Sequence, residues 1–170
     1  MKKLTILIAI LLVVGLSTNA FAQVTATAST TVTIVTPIGI SKTVDMNFGN
    51  IAINTLAGTV VLTPAGTRTS TGGVTLPATA GTVAAASFAV TGQGNYTYTI
   101  SLPGSPITLN GTPSGTATVG TFVSTPAATG ALSAGGTQTV LVGATLNLSA
   151  ATAAGSYTNA AGLTVTVNYN

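Results

Sequence analysis

Tyr96-Thr97-Tyr98-Thr99-Ile100-Ser101-Leu102 places large apolar side chains at even positions and hydroxyls at odd ones. Successive side chains of a strand point to opposite faces, so this run reads as a strand buried on one side and wetted by Thr and Ser on the other. Gly92-Gln93-Gly94-Asn95 before it has turn composition, and Pro103-Gly104-Ser105-Pro106 after it ends the alternation. Downstream, Leu163, Val165, Val167 and Tyr169 alternate with Thr164, Thr166 and Asn168. Upstream, Val24, Ala26 and Ala28 alternate with Thr and Ser, followed by Val32 and Ile34. Val44, Met46 and Phe48 share one parity, Val60 and Leu62 stop at Pro64-Ala65-Gly66, and Phe88 and Val90 close a small-residue run from Val83. Ile107-Thr108-Leu109 leads into Asn110-Gly111, which predicts a tight hairpin turn there. Val119–Val123 predicts a short strand with Phe122 in the core, and Thr139–Leu148 one with a bulge at Gly143.

Helical spacing with a capping residue before it is missing from the chain after residue 22, where Gly or Pro interrupts most windows. There is no fixed repeat of the kind a solenoid needs. The pattern predicts an all-β protein: an antiparallel immunoglobulin-like β-sandwich of about eight to ten short strands, after a cleaved signal helix.

That signal comes first in the chain. Lys2 and Lys3 precede an uncharged run from Leu4 to Leu16, and Ala20-Phe21-Ala22 fits a small-x-small cleavage site before Gln23. The run is shorter than the roughly 20 apolar residues a spanning helix needs. Residues 1–22 therefore read as a secretory signal peptide and 23–170 as a single β-sandwich domain, with 23–36 an exchangeable N-terminal strand. The expected route is secretion, through a periplasm in transit, to the cell surface or exterior. No transmembrane helix is expected after cleavage.

The rest of the chain is almost free of ions. The whole sequence has four Lys and Arg, one acid and no His or Cys. Beyond the signal segment only Lys42, Asp45 and Arg68 remain charged, while about one residue in five is Thr. Thr is β-branched and favours strands, and its hydroxyl faces water in place of an ion. Two isolated cations cannot track a phosphate backbone, so no nucleic-acid partner is expected. A lone Asp with no His supplies no acid–base pair, and Ser has no base to activate it. Zinc would want His or Cys and calcium several carboxylates. No catalytic, cofactor or metal residues are assigned, and an enzyme is not expected. Lys42 and Asp45, three residues apart, do not suit the separate strands that a self-made isopeptide bond requires.

Two stretches carry a resemblance. Ile34 to Ile51, through Asp45-Met46-Asn47-Phe48-Gly49, resembles the opening of bacterial domain of unknown function family 4402 (DUF4402). Gly155-Ser156-Tyr157-Thr158-Asn159 with Leu163–Tyr169 looks like that family's closing pair of strands. The closing strand is also similar to that of chaperone–usher pilins, including Mat-fimbria-like and spore-coat-U-like subunits, although their Cys pair is missing here. That likeness implies a fimbrial subunit, a periplasmic chaperone and an outer-membrane usher as partners, and an N-terminal extension that fills a neighbour's groove.

Physics points the same way. Monomeric sandwiches guard their border strands with Lys, inward charges and Pro. Three charges cannot guard several borders, and uncharged Thr-rich strands favour pairing between chains. The candidate subunit-pairing residues are Val24, Ala26, Ala28, Val32 and Ile34 in the first run, and Leu163, Val165, Val167 and Tyr169 in the last. A homo-oligomer or assembly with other fimbrial subunits follows. The alternative is a monomeric secreted adhesive or ligand-binding module that uses loops around Thr67–Gly73 or Thr125–Gly136.

Overall fold

A computed structural model describes residues 22–150, 152–160 and 162–170. The predicted signal helix and Ala20 of the cleavage site lie outside the described residues. Residues 22–38 form no strand. Among the described residues there is no helix, and thirteen strands account for the fold.

These are β1 (Gly39–Val44), β2 (Asn47–Phe48), β3 (Ala52–Leu62), β4 (Arg68–Thr75), β5 (Val83–Ala84), β6 (Ala86–Thr91), β7 (Thr97–Ser101), β8 (Ile107–Thr112), β9 (Thr116–Thr125), β10 (Thr129–Ala131), β11 (Thr137–Leu148), β12 (Ser156–Thr158) and β13 (Thr166–Tyr169). The number exceeds the expected eight to ten because β2, β5, β10 and β12 are only two or three residues long, too short to leave a periodic trace.

Every pairing is antiparallel. The large sheet runs β1-β6-β11-β9-β8-β12, with β3 also on β11 and β4 on β3. Leu141 and Val142 pair with both β6 and β9, and Thr145 to Asn147 with both β3 and β9. Hence β6 and β3 sit one after the other along the same side of β11, and β9 occupies the opposite side. A second sheet has the order β10-β7-β13, and β2 pairs with β5 alone.

Strand β11 joins the two parts of the core. Its even-numbered residues Val140, Val142, Ala144, Leu146 and Leu148 are all buried, as a period of two requires. Val140 and Val142 pack with Phe88 and Val90 of β6 against Tyr98 and Ile100 of β7 and Val167 of β13, so the large sheet covers the three-stranded one. Full burial of each such side chain contributes about 1.5–3 kcal/mol. Farther along, Ala144, Leu146 and Leu148 meet Val60, Leu62, Val74, Ala117, Val119 and Phe48, inside the curl of the large sheet itself. Phe122 is half-buried and touches both clusters, as does Met46.

The clearest sequence strand holds: Tyr98 and Ile100 point inward and Thr97, Thr99 and Ser101 outward. The bulge at Gly143 also holds, since the register shifts between Gly143 and Thr145. A Cβ there would stand 2.3 Å from the carbonyl oxygen of Leu62, so only glycine admits the β3–β4 turn over this point.

Other expectations change. The Asn110-Gly111 turn does not exist, because both residues are inside β8 and the chain reverses at residues 113–115. Gly111 is glycine because the Tyr157 ring lies on it, with a notional Cβ 2.6 Å from Tyr157 Cε1. Gly92–Asn95 is a turn as its composition predicts, and it carries the chain from β6 in the large sheet to β7 in the three-stranded one. Residues 67–73 are not a loop: Thr69, Ser70 and Thr71 of β4 pair with Val61, Val60 and Thr59. The two closing stretches do not pair with each other, since β12 adds to β8 and β13 to β7.

Candidate functional site: an uncharged cleft and an open border

Residues 35–170 form one compact unit. Within it the curl of the large sheet does not close. A cavity of about 1250 Å³ opens over the second core cluster, lined on its floor by Phe48, Phe88, Leu109, Val119, Leu146 and Leu148. Lys42 and residues 44–53 line it from the start of the domain, and residues 152–160 with Leu163 from its end. It is open because these stretches contribute little pairing. Residues 45–46 and 49–51 belong to no strand, β2 binds only the two-residue β5, and residues 162–165 precede β13 without pairing.

The cleft has little electrostatic character. Lys42 and Asp45 lie on its rim and form an exposed ion pair at 2.5 Å, so they neutralise one another. Tyr157 donates to the carbonyl of Ala153 at 2.7 Å, and the side-chain amide of Asn159 donates to the carbonyl of Thr108 at 2.8 Å. Among the described residues no buried side-chain N or O lacks a hydrogen-bond partner. Nor do three or more His, Cys, Asp or Glu gather anywhere among them. The remaining cation, Arg68, is spent on structure: its guanidinium donates to the carbonyl of Phe48, and to that of Asn50 at 3.1 Å, which holds the β2 segment at the cleft wall.

The second feature is an open border. Strand β13 ends the three-stranded sheet and pairs only with β7. Strand β1 ends the large sheet and approaches β13 without pairing to it. Among the candidate pairing residues, Val165 and Val167 are buried, and Leu163 and Tyr169 half-buried. The last run is thus an internal strand with one free edge. That edge carries Thr166, Val167, Asn168 and Tyr169, with none of the charges that protect a border.

Tyr169 also ties down the start of the domain. Its hydroxyl donates to the carbonyl of Thr36 at 2.8 Å and accepts from the backbone N–H of Gln93 at 2.6 Å. The N–H of Thr36 donates to Gln93 Oε1 at 3.3 Å, and Tyr96 meets the Tyr169 ring edge-on with centroids 5.6 Å apart.

The first run is placed differently. Ala22, Gln23, Val24, Ala26, Ala28, Val32 and Ile34 are exposed and in no strand, with Val24, Val32 and Ile34 at 92%, 84% and 90% exposure. The alternation is in the residues, yet the run forms no strand. The cleft itself was not foreseen. Its walls come from parts of the chain more than a hundred residues apart, and no local pattern announces such a meeting.

The described residues define an all-β sandwich with a cleft whose two charges pair with each other and an unguarded border. The chain belongs to the family Domain of unknown function (DUF4402), whose family model matches residues 38–169. Neither a curated protein nor a solved structure matches it.

Proposed function

We propose that this chain is an exported structural subunit of the cell surface, built into a fimbrial-type fibre through strand addition between copies, and that it does no catalysis. One observation carries the reading. A dozen or so residues with exposed, alternating apolar side chains precede a domain whose last strand has a bare, uncharged edge. Strand addition supplies backbone hydrogen bonds along such an edge and lets alternate side chains choose their pockets. Val24, Ala26, Ala28, Val32 and Ile34 are the donor side of this reading, and Leu163, Val165, Val167 and Tyr169 belong to the acceptor side. Among the described residues no helix is long and apolar enough to cross a membrane.

The proposal extends to the route. The signal segment delivers the chain out of the cytoplasm, and a periplasmic chaperone covers the bare edge until an usher or a sister subunit replaces it. Deletion of residues 23–35 from the mature chain tests the reading. Fibres formed by the full mature chain are expected to vanish, with the circular dichroism of the folded domain unchanged. Undiminished fibres from the shortened chain would refute it.

A further inference from the structure

The cleft over the second core cluster has no role yet. We propose that it holds a free single-chain lipid with an uncharged head, the hydrocarbon chain on the apolar floor and the head at the mouth. This goes beyond the fibre reading and does not rest on it.

The walls decide against a peptide strand as occupant. On the wall from the start of the domain, the N–H of Gly49 donates to Asn47 Oδ1 at 2.8 Å and that of Asn50 to the carbonyl of Ala80 at 2.7 Å. The carbonyls of Phe48 and Asn50 accept from the Arg68 guanidinium. On the wall from the end of the domain, the carbonyl of Ala153 accepts from Tyr157 Oη at 2.7 Å. An added strand is held by main-chain hydrogen bonds, and main chain already bonded at these points has little to give it. The same bonds fix both walls, so the cleft is formed before anything enters.

What the cleft does offer is apolar contact. Met46, Ile51, Ile53, Ile107, Leu109 and Leu163 line it and are only partly buried by the fold. Covering such surface is favoured by the hydrophobic effect, and hydrocarbon covers it without needing a polar partner. The volume of about 1250 Å³ is ample beside the roughly 300–1,000 Å³ of sites that take small ligands. A charged head would be partly stripped of water at the mouth with no counter-ion to meet it, since Lys42 and Asp45 already pair with each other. Among the described residues no buried side-chain N or O waits for a partner, so nothing on the floor calls for a sugar or another polar group. The cleft is open between its two walls, which suits a chain with one end at the surface.

The chain contains no Trp, so a single introduced indole reports its own surroundings. Ala153 is exposed and lines the mouth, whereas Val123 is exposed and lies outside the cleft. Mature protein carrying Ala153→Trp or Val123→Trp is titrated with a monoacylglycerol whose chain is brominated, kept below the concentration at which it forms micelles. Bromine quenches indole fluorescence only at close range. The expected result is saturable quenching of Ala153→Trp at one lipid per chain, with Val123→Trp little changed. The same brominated chain as a free carboxylate should bind roughly tenfold more weakly. Equal quenching of both variants, or quenching that never saturates, would overturn the site. Equal or tighter binding of the carboxylate would overturn the uncharged class. Quenching seen only with lipid presented in vesicles would mean a membrane surface, and quenching seen only after deletion of residues 23–35 would make the chain's own first run the occupant; either would overturn the free lipid. None of these results bears on whether the chain forms fibres.

Discussion

Tyr169 Oη donates a 2.8 Å hydrogen bond to the carbonyl of Thr36, so the last strand grips the residue just after the N-terminal run. The same hydroxyl accepts from the N–H of Gln93. Removing it in Tyr169→Phe leaves that N–H without its acceptor, at a cost of about 1–2 kcal/mol. Urea denaturation of the mature chain should show a lower midpoint with an unchanged slope.

Tyr98 is fully buried, and burial raises its pKa above the ordinary 10.0. Its hydroxyl donates to Gln138 Oε1 at 2.6 Å, and the same oxygen accepts from the N–H of Ala131 at 2.9 Å, which joins β7, β10 and β11. A raised pKa in the folded state means that the unfolded chain loses this proton first as pH climbs. The stability tied to this group is therefore whole below pH 10 and is lost as pH rises through the folded value. Stability measured from pH 8 to 11 should fall at the alkaline end, and Tyr98→Phe should flatten that fall. At pH 8 the same substitution should cost about 1 kcal/mol.

Gly143→Ala forces a methyl to within 2.3 Å of the Leu62 carbonyl, against the backbone of Leu62, Thr63 and Pro64. The bulge cannot relax without moving the β3–β4 turn. A loss of about 2 kcal/mol or more is expected, seen as a drop in melting temperature of several degrees. Gly66, which has open space around its notional Cβ but a φ of 81°, should tolerate Asn far better than Val.

The Lys42–Asp45 pair is short but exposed on both partners. Such pairs contribute little, and Asp45→Asn should change stability by less than about 0.5 kcal/mol in a denaturant titration. A larger loss would mean that the pair holds the cleft rim in place.

Much of the architecture was legible because it is local. Alternation placed Tyr98, Ile100, Phe88, Val90, Val165 and Val167 on buried faces, and a lone glycine in an apolar run marked the bulge at Gly143. What failed depended on distant parts of the chain. Asn110-Gly111 has the composition of a hairpin turn, but Tyr157, more than forty residues later, needs the space over Gly111 and holds it in a strand. Thr67–Gly73 reads as a polar loop until β3 supplies partners for Thr69, Ser70 and Thr71. The cleft was the least legible feature, since it is the gap between the first and last parts of the domain. The two candidate pairing runs differ: both alternate, yet only Leu163–Tyr169 meets its own neighbours, and Val24–Ile34 stays exposed.

The central claim is that an exposed, uncharged N-terminal run and an unguarded domain border belong to different copies of one chain. Negative-stain electron microscopy of purified mature protein, concentrated without chaperone, examines this most directly. Linear fibres of uniform width are the predicted result. A field of separate, domain-sized particles, matched by a monomer mass in light scattering at the same concentration, would contradict it.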